Sequence, residues 1–135
     1  MKFPWRSDRA ASGPGYWSEA IVESKVVPGV KFTIAKMSFG RRVELMRRVR
    51  ELARRCEYLR ASDDAGDKMD AALLQSEIER AYVSWGVKAV SGLTVDGKVA
   101  DVEWMAAEGP EVLFREALAA VRHETGLNEE ERKNS

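Results

Sequence analysis

Leu45, Val49, Leu52, Cys56 and Leu59 recur at spacings of four, three, four and three. That rhythm puts one apolar stripe on one side of an α-helix, and it runs for about four turns. Ser38 stands ahead of it as an N-cap. The segment "ASDDAGDK" breaks the rhythm and reads as a loop. A second helical pattern spans Lys68 to Ser91, with Leu74, Ile78, Ala81, Tyr82 and Trp85 along one face. Gly86 falls inside it and is expected to kink or shorten the helix, at about 1 kcal/mol against alanine. Gly92 reads as its C-terminal stop.

Upstream the period changes from helical to alternating. Val30, Phe32 and Ile34 interleave with Lys31, Thr33 and Ala35, as in a half-buried strand. Residues Ile21 to Val27 are its candidate hairpin mate, and Val27-Pro28-Gly29-Val30 fits a type II turn. A lone hairpin is marginal in water, so this one should lie on helices or extend a sheet in an oligomer. Downstream, Asp96-Gly97 signals a tight turn and a small hairpin. Asp101 can cap a short helix, "VEWMAAE", which Gly109-Pro110 ends. Pro110 fits the first position of a last helix, Glu111 to Glu124, whose stripe is Val112 or Leu113 with Leu118 and Val121. Gly126 stops it. The pattern predicts a mainly α fold of the α+β class: an N-terminal β-hairpin followed by three to four helices in a small bundle, occupying 21–126. Residues 1–20 form an arm carrying Trp5, Tyr16 and Trp17, and 127–135 a polar tail. There is no internal repeat.

A chain of 135 residues fits one domain, and 44% apolar content supports a folded core. No apolar run approaches the ~18 residues of a membrane span. The start lacks the apolar region of a secretory signal. Cys56 is the single cysteine and has no internal disulfide partner, so a cytoplasmic protein is expected. Net charge is zero, but the zero hides a split. Residues 1–60 hold fourteen Lys and Arg against six acids, and 61–135 hold eight against sixteen. Either the halves face each other within one fold, or a basic face meets an acidic one on a neighbour.

Catalytic signatures are missing. His123 is the sole histidine, so it lacks zinc co-ligands, and no nucleophile elbow surrounds a serine or cysteine. "DDAGDKMD" lacks the spacing and bidentate Glu of a calcium loop. No glycine-rich phosphate loop is present. The expectation is a non-enzymatic protein with no cofactor and no metal. The remaining feature is the basic helix, with eight arginines between Arg41 and Arg60. Glu44 with Arg48, Arg47 with Glu51, Glu51 with Arg55 and Arg54 with Glu57 have helical pair spacing, which would half-neutralise the face. A helix turned toward protein is the preferred reading. The alternative is a small DNA-binding regulator using Arg41, Arg42, Arg47, Arg50 and Arg54, although no recognisable reading head accompanies them.

The second half, "YVSWGVKAVSGLTVDGKVADVEWMAAEGPEVLFREALAAVRHETGLNEEERKNS", resembles the tail assembly chaperones of tailed bacteriophages. The pattern is an aromatic-WGV-x-x-V-x-GL-x-VDG segment, a short helix, then GPE-x-L-x-x-EA. Upstream, "VPGVKFTIAKMSFGRRVEL" looks like the family's opening strand and basic helix. The likeness spans about residues 24–135 and leaves the aromatic arm unmatched. It implies a non-catalytic protein that binds the tape-measure protein, or another phage tail protein, during tail assembly, acts in the host cytoplasm and forms a homo-oligomer. It leaves a minor structural tail or connector protein as a variant. Trp5, Trp17, Trp85 and Trp104 are the aromatic contact candidates. The resemblance also implies a frameshifted longer product, since Arg132-Lys133-Asn134 can be encoded with a slippery A-AAA-AAC.

Overall fold

The computed structural model describes residues 15–126. Trp5 and the tail of the frameshift reading lie outside them. The described residues form an α+β fold in which a β-hairpin precedes four helices.

β1 (Glu19–Glu23) and β2 (Lys31–Ala35) make the expected hairpin. Its loop contains the expected turn: the Val30 N–H donates to the Val27 carbonyl at 3.2 Å, and Gly29 takes φ 89°. β2 is the centre of a three-stranded antiparallel sheet, with β3 (Val87–Ser91) on its other side. Val22, Phe32 and Val90 stand opposite one another across the three strands on the core-facing side. Glu19, Ile21 and Glu23 alternate with them and are exposed.

α1 (Phe39–Arg60) starts where its cap predicts, with the Ser38 hydroxyl accepting from the Arg41 N–H at 3.2 Å. α2 (Ala65–Gly86) starts three residues before the expected Lys68, because the Asp64 carboxylate caps it by accepting from the Asp67 N–H. It also ends five residues early. The stretch expected to finish this helix, up to Ser91, is β3 instead. Gly86 explains the change of course: a Cβ there would sit 2.6 Å from Val121 Cγ1, so glycine lets the chain pass close to the last helix. Val87 then joins the sheet opposite Ile34. Gly92 is therefore not a helix stop. It ends β3 with φ 77°, close against the Gly29 turn.

The Asp96-Gly97 turn joins the two-residue strands β4 (Thr94–Val95) and β5 (Lys98–Val99). α3 (Val102–Glu108) is capped by Asp101, as expected. α4 (Glu111–Thr125) has Pro110 as its N-cap rather than its first residue, and Gly126 closes it with φ 76°. The arm is shorter than 1–20, since β1 begins at Glu19 and the Lys36 N–H bonds the Ser18 carbonyl at 2.9 Å.

The helices divide between two cores. β2, β3, α3, α4 and the end of α2 build the main one around Phe32, Ile34, Met105, Leu113 and Val121, all fully buried. α1 and the first half of α2 enclose a smaller one around Cys56, Ala71, Leu74 and Ile78. Tyr82 packs against both. The α1–α2 hairpin is thus an antiparallel pair about 33 Å long whose far half rests on its own contacts. Ion pairs secure the near half: Arg115 of α4 donates to Glu79 of α2 at 2.7 Å and approaches Glu111 at 3.5 Å. The Glu79 bond chiefly holds the Arg115 guanidinium above its ordinary pKa. At the opposite edge, Glu116 of α4 accepts from the Lys25 N–H at 2.6 Å and from the Ser24 hydroxyl, pinning the hairpin loop.

Candidate partner-binding surface

Several large apolar side chains left in water lie off the buried stripes of the two long helices. Leu45 and Cys56 of α1 are buried as the rhythm requires, but Tyr58 is 78% exposed. On α2, Leu74 and Ile78 are buried, whereas Met69 and Leu73 are 71% and 66% exposed. Tyr58 and Leu73 face a common open groove between the helices, of about 760 Å³. Leu59 and Leu74 form its floor. Its α1 wall carries Arg54 and Arg55, and its α2 wall carries Asp70 and Glu77.

A second hollow, of about 510 Å³, lies farther along the same side of α2. Leu73, Glu77, Arg80 and Ser84 share one helical stripe. The first two line the groove and Arg80 lines the second hollow. The Ser84 hydroxyl then donates to Glu103 of α3 at 2.9 Å, which holds α3 beside this stripe. Trp104, 38% exposed, and Val99, 85% exposed, give the hollow its apolar surface. Arg80, Lys98, Asp101 and Glu103 ring it with both signs of charge.

The sequence candidates do not converge on one place. Trp17 is exposed just before β1. Arg42, Arg47, Arg50 and Arg54 are exposed on α1. Arg41 is half-buried, with its guanidinium carbon 5.9 Å from the centre of the Trp85 ring. Trp85 itself is 3% exposed, which removes it as a contact residue. It sits at the end of α2 where Val83 and Gly86 are also buried, and its Nε1–H has no acceptor among the described residues. Only Trp104 and Arg54 border the two hollows. Tyr58, Met69, Leu73 and Val99 went unnoticed in the sequence. The signal of the first three was negative, apolar residues that miss the stripe of their own helix, and Val99 ends the two-residue strand β5.

The four expected ion pairs along α1 do not form among the described residues. Arg54 pairs backward with Glu51 instead, and Arg60 donates to Gln75 of α2 at 2.9 Å. Nor does any ion pair among the described residues join the basic first half to the acidic second half. Lys31 approaches Glu23, Arg54 meets Glu51, and Arg115 meets Glu79 and Glu111. Each pair stays within its own half.

Cys56 is buried, with its thiol directed at the Ala71 carbonyl, 3.4 Å away. His123 is exposed on α4. Among the described residues no three His, Cys, Asp or Glu side chains cluster as metal ligands, and no helix is long and apolar enough to cross a membrane. Comparison with protein-family models, with curated proteins and with solved structures gave no match.

Proposed function

We propose that this chain is a non-catalytic binding protein resembling a phage tail assembly chaperone, which engages the helical tape-measure protein in the cytoplasm of the host cell. The Trp104 hollow carries this reading. A half-exposed tryptophan beside an exposed valine, ringed by mixed charge, suits an amphipathic helix laid across it. Tryptophan at the centre of such a site supplies much of the binding energy.

The test is a tagged pull-down from cells assembling the particle, read by mass spectrometry. Wild type recovers a very long helical protein. Trp104→Ala weakens that capture about 30-fold, the ~2 kcal/mol of a hot-spot tryptophan. A preparation that recovers no such protein overturns the reading. Presence of the chain in purified particles replaces it with a minor structural tail or connector protein.

A second reading has its own observation. Arg47, Arg50 and Arg54 are exposed at helical spacing on α1, and only Arg54 has an acidic partner among the described residues. Such a stripe can lie along phosphates, as in a small DNA-binding regulator. Binding to duplex DNA that collapses with moderate salt, and that Arg47→Ala with Arg50→Ala abolishes, would establish it.

A further inference from the structure

We propose that the α1–α2 groove is covered by the same groove of a second copy, related by a twofold axis running along it. This does not rest on the chaperone reading and uses a different surface from the Trp104 hollow.

Charge and level along the two helices favour this pairing. The groove has an apolar floor and rim, with arginines on one wall and acids on the other. The Cys56 thiol reaches the Ala71 carbonyl, so positions 56 and 71 stand level in the antiparallel pair. Arg54 and Arg55 are then level with residues 72–73, within about one helical turn of both Asp70 and Glu77. Two copies placed face to face about an axis along the groove keep their levels and exchange their walls. Each α1 lies over the partner's α2, running antiparallel to it. Arg54 and Arg55 of each copy meet the acidic wall of the other. Tyr58 and Leu73, exposed where they line the groove, are covered together. The result is a four-helix bundle in which every neighbouring pair is antiparallel. A twofold axis across the groove would instead bring arginine wall to arginine wall, so the charges choose between the two packings. The existing Arg54–Glu51 pair is exposed at both ends and costs little to exchange. No ion pair within the described chain uses Asp70, Glu77 or Arg55.

The decisive experiment is charge-swap complementation on the full chain, with mass read by sedimentation over a dilution series. Wild type is expected to be a dimer. Reversing one wall, with R54E/R55E, or the other, with D70K/E77K, sets like charges opposite each other in both contacts. Each variant alone should dissociate at least about 100-fold more readily. Mixing the two in equal amounts puts opposite charges back in both contacts and should restore a heterodimer. All four positions are exposed, and circular dichroism checks that each variant keeps its helices. A wild type with the mass of one chain throughout, variants that remain dimers, or a mixture that stays monomeric overturns the proposal.

Discussion

The four residues that best expose the physics are two tryptophans and two glycines. Trp85 and Trp104 look alike in the sequence, each among helical residues near an alanine. Burial separates them. Trp85→Ala should cost about 3–5 kcal/mol of unfolding free energy through the cavity it leaves. Trp104→Ala, from a partly exposed site, should leave the urea midpoint nearly unchanged while weakening client capture. A large stability loss in both would mean that Trp104 is core. Gly86 and Gly92 resist alanine for different reasons. At Gly86 the new methyl meets Val121 side-chain atoms at 2.6 and 2.8 Å, so overpacking of about 1–3 kcal/mol is expected. At Gly92 it meets the Gly29 carbonyl oxygen at 2.2 Å and also suffers φ 77°. Backbone cannot step aside as a side chain can, so Gly92→Ala should lose more, above about 2 kcal/mol. Gly97 shares the positive φ but has nothing within 4 Å, so its alanine variant isolates the conformational term at about 1 kcal/mol. Urea unfolding of the three variants orders them.

Among the elements, the α1–α2 hairpin stands apart because its outer half has a separate, small core. Few buried contacts hold it, so it should open before the sheet and α4 do. Cys56 reports that opening, since its thiol is buried only while the hairpin is closed. Leu74→Ala removes a buried side chain of this core and should cost about 2–5 kcal/mol locally. The expected result is much faster alkylation of Cys56 at temperatures where exchange of the β2 amides is still protected. If Cys56 and the β2 amides become accessible together, the hairpin and the main core unfold as one unit. Much at this scale was legible. The rhythm of Leu45 to Leu59, the Ser38 and Asp101 caps, the Gly29 turn and the Gly126 stop are local devices, and each element answers to its own device. The failure was β3. Val87–Ser91 continues a helical pattern as readily as a strand, and a partner strand more than fifty residues upstream decided between them.

For the whole molecule, the division of charge along the chain is the feature with consequences. Two explanations stood open, cancellation inside the fold or complementarity outside it. The ion pairs keep within their own halves, which favours complementarity with another surface. Internal electrostatics should then matter little to the monomer. Raising salt is expected to move its thermal midpoint by less than roughly 4 °C, the equivalent of about 1 kcal/mol. The same salt should weaken self-association of the wild type markedly. A midpoint that falls steeply with salt would instead return the charge split to the interior.

The sequence by itself determined the fold class and every element except β3, because periodicity, caps and turn residues act over a few positions and are written in order. It also determined that charge is unevenly distributed. Only the tertiary structure decided which apolar residues are spare. Leu73 and Leu74 are adjacent and chemically identical, yet one is 66% exposed and the other 7%. Helix orientation makes that difference, and it follows from how α2 meets α1 on one side and α4 on another. The groove, its arginine wall and its acidic wall exist only because two distant stretches of chain are brought level, which no local pattern records.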